Sequence, residues 1–221
     1  MTPQLVLFDL DGTLIDSVAD LAAAADEMMC ALDRPPPGEE RVRRYVGNGI
    51  ERLVHRCLSE EMDNDAPADE FARAAPLFMT FYEQHNGRHS TIFEGVLECL
   101  EHTLKTGIPM ACVTNKSQQF AVPLLRALGL HDYFSLVVCG DTTAHQKPHP
   151  APLLFALDHY AVAAQHALFV GDSINDVKAA RAARIPVACV NYGYNHGEDI
   201  ALSEPDAILS SLTELQALMS S

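Results

Sequence analysis

Positive charge is scarce in this chain: 15 Lys and Arg stand against 30 Asp and Glu, for a formal net charge of −15 and a pI near 4.9. Such a field opposes a nucleic-acid backbone or an anionic membrane surface as partner. A negative substrate must therefore meet local cations. Long apolar runs are also missing, since none approaches the roughly 18 residues that span a bilayer. The first residues carry no basic segment leading into an apolar stretch of the secretory kind, so a cytoplasmic protein is expected. The six cysteines (Cys30, Cys57, Cys99, Cys112, Cys139, Cys189) include no Cys-x-x-Cys pair, which removes the usual zinc and disulfide frameworks. His85 and His89 are four apart but lack a third ligand nearby. Internal repeats and low-complexity tracts are absent, and 48% hydrophobic against 20% charged residues is globular composition.

What is present begins with Leu5-Val-Leu-Phe-Asp9-Leu-Asp11-Gly-Thr13. An unbroken apolar run of this kind suits a strand covered on both faces, as in a parallel sheet. Ligands collect at the carboxyl ends of such strands, which places Asp9 and Asp11 where chemistry is done. At a spacing of two their side chains leave the backbone on different sides, so one can attack while the other moves a proton.

Downstream, residues 16–88 carry helical patterns broken by Arg34-Pro-Pro-Pro-Gly38, with no convincing strand. Asp16-Ser17 supplies a candidate N-cap for the first helix. From Ile92 onward strands alternate with helices: strands at 110–114, 136–139, 167–170 and 186–190, helices at 96–106, 117–128, 150–160, 175–183 and 212–219. The expected architecture is an α/β, doubly wound parallel sheet (a Rossmann-like core) formed by residues 1–15 and 89–221, with residues 16–88 inserted as an all-helical cap. An insertion leaving and returning near the active strand ends is a candidate lid.

Four polar clusters follow apolar runs: Asp9-Leu-Asp11-Gly-Thr13, Thr114-Asn115-Lys116, Lys147-Pro148 and Gly171-Asp172-Ser173-Ile-Asn175-Asp176. Taken singly, Thr114 and Asn115 are helix caps, Lys147 a surface ammonium, and Asp172 with Asp176 a helix start. Those readings do not explain why strand ends on one edge all carry such groups. Together they supply a carboxylate nucleophile, a second carboxyl group, a hydroxyl donor, a fixed ammonium and a further acid pair, which fits phosphoryl transfer through an aspartyl-phosphate. Carboxylates about 4 Å apart repel by roughly 4 kcal/mol at an effective dielectric of 20. A hard divalent cation offsets that cost, and oxygen ligands beside a phosphate favour Mg2+.

In order and spacing these clusters resemble the haloacid dehalogenase superfamily over essentially the whole chain. The resemblance implies that Asp9 attacks phosphorus and that Asp11 protonates the leaving oxygen and later deprotonates water. It implies that Thr114 and Lys147 hold the phosphoryl oxygens, that Asn115 joins them in binding substrate, and that Asp9, the Asp11 carbonyl and Asp172 bind Mg2+ with Asp176 behind them. Val46-Gly-Asn-Gly49, Val113-Thr-Asn-Lys116, Lys147-Pro-His-Pro150, Phe169-Val-Gly-Asp-Ser173 and Tyr192-Gly-Tyr-Asn195 narrow it toward the phosphoglycolate phosphatases, implying hydrolysis of 2-phosphoglycolate. The substrate's carboxylate then needs a second anion site, for which Gly47-Asn48-Gly49 at a helix start, with Arg43, Arg44 or Arg52, is the candidate. Two departures from the family pattern stand out: Phe93-Glu94-Gly95 replaces aromatic-Pro-Gly, and Arg184 stands where glycine is common after a helix. A small phosphorylated metabolite is the expected partner, with the chain a monomer or homodimer. The rival functions are a phosphatase for a sugar phosphate or nucleotide, a sugar-phosphate mutase, and a catalytically silent binding protein.

Overall fold

In the computed structural model, which describes residues 2–219, the chain opens on β1 (Leu5–Phe8) and a short β2 (Ile15–Asp16). Four helices follow: α1 (Val18–Ala31), α2 (Glu39–Tyr45), α3 (Gly49–Ser59) and α4 (Ala68–His85). The chain returns through β3 (Thr91–Ile92) into α5 (Val96–Thr106), β4 (Met110–Val113), α6 (Gln118–Ala127) and β5 (Leu136–Val138). It then runs through α7 (Ala151–Tyr160), β6 (Ala167–Gly171), α8 (Ile174–Ala183), β7 (Val187–Val190), β8 (Ala207–Leu209) and α9 (Leu215–Met219).

Strands β1 and β4 to β8 form one parallel sheet in the order β5-β4-β1-β6-β7-β8. The apolar run of β1 is explained by what lies on each side of it. Val6 and Phe8 face Leu100, Leu124 and Leu215, whereas Leu5 and Leu7 face Leu153, Val177 and Ala180. With helices on both faces, no position of β1 meets water, so alternation has nothing to select. The α/β, doubly wound core expected from the sequence is the observed one. Because β1 lies between β4 and β6, the ends of these three strands open on one crevice, where the chain reverses its direction of sheet growth.

Helices α1 to α4 enclose their own apolar cluster, including Met28, Val54, Phe78 and Tyr82. Their attachment is a two-stranded antiparallel ribbon in which Ile15 pairs Ile92 and Asp16 pairs Thr91. Sequence reasoning missed it because two residues are too short for any period. A buried carboxylate fixes the return path: Asp20 of α1 accepts the backbone N–H groups of Gly87, His89 and Ser90 at 2.8–3.1 Å and the Ser90 hydroxyl at 2.5 Å. Ser17 caps no helix; its hydroxyl is turned to Asp11 instead. Strand β8, between Pro205-Asp206 and Ser210-Ser211, also escaped the sequence reading, and the last helix begins as a 3-10 turn at Leu212–Glu214. Arg184 closes α8 in the left-handed region (φ 61°, ψ 35°), the conformation a glycine adopts without strain. No helix among the described residues is long and apolar enough to cross a membrane.

Candidate active site

Each group of the crevice is carried there by a strand end. β1 delivers Asp9 and Asp11, β4 delivers Thr114 to Lys116, and β6 delivers Asp172 ahead of α8. The loop after β5 adds Lys147. Gly12 makes the turn after Asp11 at φ 88°, and a Cβ there would stand 2.3 Å from Asp172 Oδ2, so only glycine lets the two loops approach.

Lys147 is the hub of the floor. Its ammonium lies 2.7 Å from Asp9 Oδ1 and 2.7 Å from Asp176 Oδ1, and donates to the Val113 carbonyl at 2.9 Å. Asp176 spends its other oxygen on the Asp172 and Ser173 backbone N–H groups and the Ser173 hydroxyl, forming the capping box that starts α8. Asp172 accepts from Thr13 Oγ1 at 3.1 Å and from the Tyr194 N–H at 2.8 Å. Burial pushes the Asp9 carboxyl up to about 7 against the pull of Lys147, and pushes Asp172 well above the carboxylate range, with Asp176 and Asp9 adding to it. Carboxylate oxygens of Asp9, Asp172 and Asp176 lie within 4.8 Å of one another. Three buried carboxylates against one ammonium leave two negative charges unbalanced, which is the charge a divalent cation brings.

A second ion pair stands beside the first. Asp11 receives both oxygens' worth of contact from Lys116 Nζ, at 2.9 Å each, and the Ser17 hydroxyl donates to Oδ1. Thr114 Oγ1 accepts the Lys116 N–H at 3.1 Å, which leaves its own proton to point into the cleft. Asn115 works as a bracket: its amide donates to the carbonyls of Gly47 and Lys147 and accepts the Lys147 N–H. It thereby ties the loop between α2 and α3 to the strand ends. The Tyr192-Gly-Tyr-Asn195 segment does the same on the other side. Tyr192 donates to the Thr13 carbonyl, Tyr194 donates to Asp16 and accepts the Ser17 N–H, and Asn195 accepts the Ile174 N–H.

A family model described as haloacid dehalogenase-like hydrolase matches residues 6–190. The chain is a haloacid dehalogenase-like hydrolase. Hydrolases of this family use a divalent metal, and the buried acidic triad has the charge and the donor atoms for one. A Nitrosococcus oceani phosphoglycolate phosphatase is 47% identical to this hydrolase over 218 residues, covering 99% of the chain and 97% of the relative. A Thiobacillus denitrificans phosphoglycolate phosphatase is 47% identical over 211 residues, covering 96% and 93%. Among solved structures, a Haemophilus somnus protein described as a predicted phosphoglycolate phosphatase superposes with a TM-score of 0.92 at 32% identity, covering 99% of the chain and 98% of that protein.

All seven residues singled out from the sequence, Asp9, Asp11, Thr114, Asn115, Lys147, Asp172 and Asp176, line this one cleft of the hydrolase. The three arginines considered for a second anion site do not. Arg43 pairs Asp16 and Glu39, Arg44 pairs Glu40, and Arg52 pairs Asp65, all outside the cleft. Their charge is spent on the many surface acids. Lys116 was given no role by the sequence reading, although it stands at a strand end like Thr114, and that position was the available signal. Ser17 reaches the site through folding alone, whereas Tyr194 belongs to the Tyr192-Gly-Tyr-Asn195 motif, which the sequence showed without a role for the residue.

Proposed function

We propose that the chain is a Mg2+-dependent phosphatase that hydrolyses 2-phosphoglycolate to glycolate and phosphate through an aspartyl-phosphate on Asp9. The observation that carries this reading is the pairing of Asp9 with Lys147 on the cleft floor while Asp11 stands apart with Lys116. The two acids are thereby given separate partners, as two separate tasks require. Relatives that match nearly the whole chain at 47% identity bear the name phosphoglycolate phosphatase, which supports the substrate.

Asp9 attacks phosphorus in line as the bond to the leaving oxygen breaks. Asp11 gives that oxygen its proton, then takes one from the water that attacks the acyl-phosphate, so Asp9 is regenerated and phosphate leaves. The Thr114 hydroxyl and the Lys147 ammonium hold the transferred phosphoryl oxygens, and Asn115 keeps Lys147 in place. Asp9, the Asp11 carbonyl and Asp172 would hold Mg2+, and Asp176 would orient Lys147 from behind. When bound, the cation neutralises phosphoryl charge beside the triad. Residues 16–88 would act as the lid, with Leu21, Val46, Ile50 and Leu53 forming the apolar wall over the leaving group.

A panel of small phosphate monoesters, assayed for phosphate release with Mg2+ and with chelator, tests the assignment. 2-Phosphoglycolate is expected to give the highest kcat/KM, and chelation to stop release. Preference for a hexose phosphate or a nucleotide would overturn the substrate, and absence of metal-dependent release would overturn the phosphatase. Asp9→Asn should lower kcat by roughly 10³-fold or more with its circular dichroism unchanged. Acid quench of a single turnover should trap the phosphoryl group on Asp9, and 18O from water should appear in the released phosphate and not in Asp9, because water attacks at phosphorus.

A further inference from the structure

Besides Lys147, Lys116 is the one cation among the residues that line the cleft. Its side chain is 3% exposed and lies over the Tyr82 ring at 5.2 Å, with Nζ on both oxygens of Asp11. Burying an ammonium this deeply is costly and is tolerated only beside anions. Lys147 is already held between Asp9 and Asp176 on the phosphoryl side. Lys116 instead holds Asp11, the residue that must reach the ester's bridging oxygen. Of the two cations lining the cleft, it is therefore the one paired with the group that serves the leaving side.

In a 2-phospho-hydroxy acid the carboxylate carbon is two bonds from the bridging oxygen. A group that hydrogen-bonds the oxygen and is itself hydrogen-bonded to Lys116 places the ammonium within reach of that carboxylate. The facing wall of Leu21, Val46, Ile50 and Leu53 is apolar, and Gly47 and Gly49 beside it supply backbone groups but no charge. The arginines of the neighbouring helices are turned outward, and the remaining buried one, Arg56, donates to the Tyr45 and Met62 carbonyls and to Asn48 Oδ1.

We infer that Lys116 is the specificity-determining residue of this enzyme, receiving the carboxylate of a short phospho-hydroxy acid while Asp11 serves the bridging oxygen. The inference rests on the phosphatase reading above and names the residue that makes the substrate an acid. Phosphate esters of the same size without a carboxylate adjacent to the ester carbon are discriminated against at this ammonium.

The test compares 2-phosphoglycolate with 2-hydroxyethyl phosphate in wild type, Lys116→Met and Lys116→Arg. In Lys116→Met the ratio of kcat/KM for the two esters should fall by about 100-fold, mostly through KM for 2-phosphoglycolate, and Lys116→Arg should retain most of the ratio. Calorimetry with the non-hydrolysable 3-phosphonopropionate and with ethylphosphonate gives the same comparison without turnover, and only the first should lose affinity. Should both esters fall equally in kcat while the ratio of binding constants stays at the wild-type value, Lys116 merely positions Asp11 and the inference is wrong. A wild type that shows no preference for the carboxylate ester overturns the substrate reading along with it. Lys116→Arg, which keeps the charge, guards against a folding defect in the methionine variant.

Discussion

The floor of the site holds protons that the unfolded chain would have released. Asp9 is displaced upward to about 7 and Asp172 well above the ordinary carboxylate range, both chiefly by burial. Between the ordinary carboxylate value and neutrality the folded, metal-free protein binds more protons than the unfolded one, so rising pH erodes its stability through these groups. A cation competes with those protons, and its apparent affinity must rise over the same interval. The increase in Tm given by Mg2+ is therefore expected to be larger at about pH 8 than at about pH 5.5; equal increments at both would show that the cation does not displace these protons. At this scale Asp9, Asp11 and Asp172 were legible because each ends or follows an apolar run, and Lys147 through its place in the order of clusters that carries the family resemblance. Lys116 stands in the same cluster as Thr114, and its neighbours in sequence show no partner for it. What singles it out is its contact with Asp11, 105 positions away in sequence, which no local pattern encodes.

The strands and helices of the core were legible for a different reason: burial on two faces produces runs and periods that persist for several residues. Strand β8 and the β2–β3 ribbon are too brief for that signal, and their existence depends on neighbours distant in sequence. Asp20 shows how much a single helical residue can decide beyond its own helix. Its carboxylate accepts three backbone N–H groups and one hydroxyl from the segment 87–90. Asp20→Ala would strand those donors, at a cost of about 3 kcal/mol for hydrogen bonds to a charged group. In a chain of this length that is a fall in Tm of roughly 6–12 °C, to be read by calorimetry. Asp20→Asn, which accepts with one oxygen only, should fall between wild type and alanine. A loss below about 1 kcal/mol would mean that water satisfies the segment equally well.

For the molecule as a whole, acidic surface and mixed interior are kept apart. Arg34, Arg41, Arg43, Arg44 and Arg52 all pair with carboxylates on the helical side, so the two lysines of the cleft meet an incoming anion with no cationic rim around them. Recognition of a negative substrate is thus left to interior groups, which salt screens little. The two crossings between sheet and helices lie side by side, Asp16 opposite Thr91. Adjacent crossings make a socket: whatever is plugged in must begin and end one strand spacing apart, and nothing else in the sheet depends on its length. Joining Asp16 to Thr91 by an Asn-Gly turn would convert the socket into an ordinary hairpin. With Phe120 and Tyr194, which that removal uncovers, made polar, the shortened chain should keep its α/β circular dichroism. It should also retain metal-dependent release from p-nitrophenyl phosphate and, through Lys116, a preference for carboxylate esters, while losing discrimination by the size of the leaving group. A headpiece that can be exchanged in this way lets the size of the accepted ester change without disturbing the groups beneath it that break the bond and read the carboxylate.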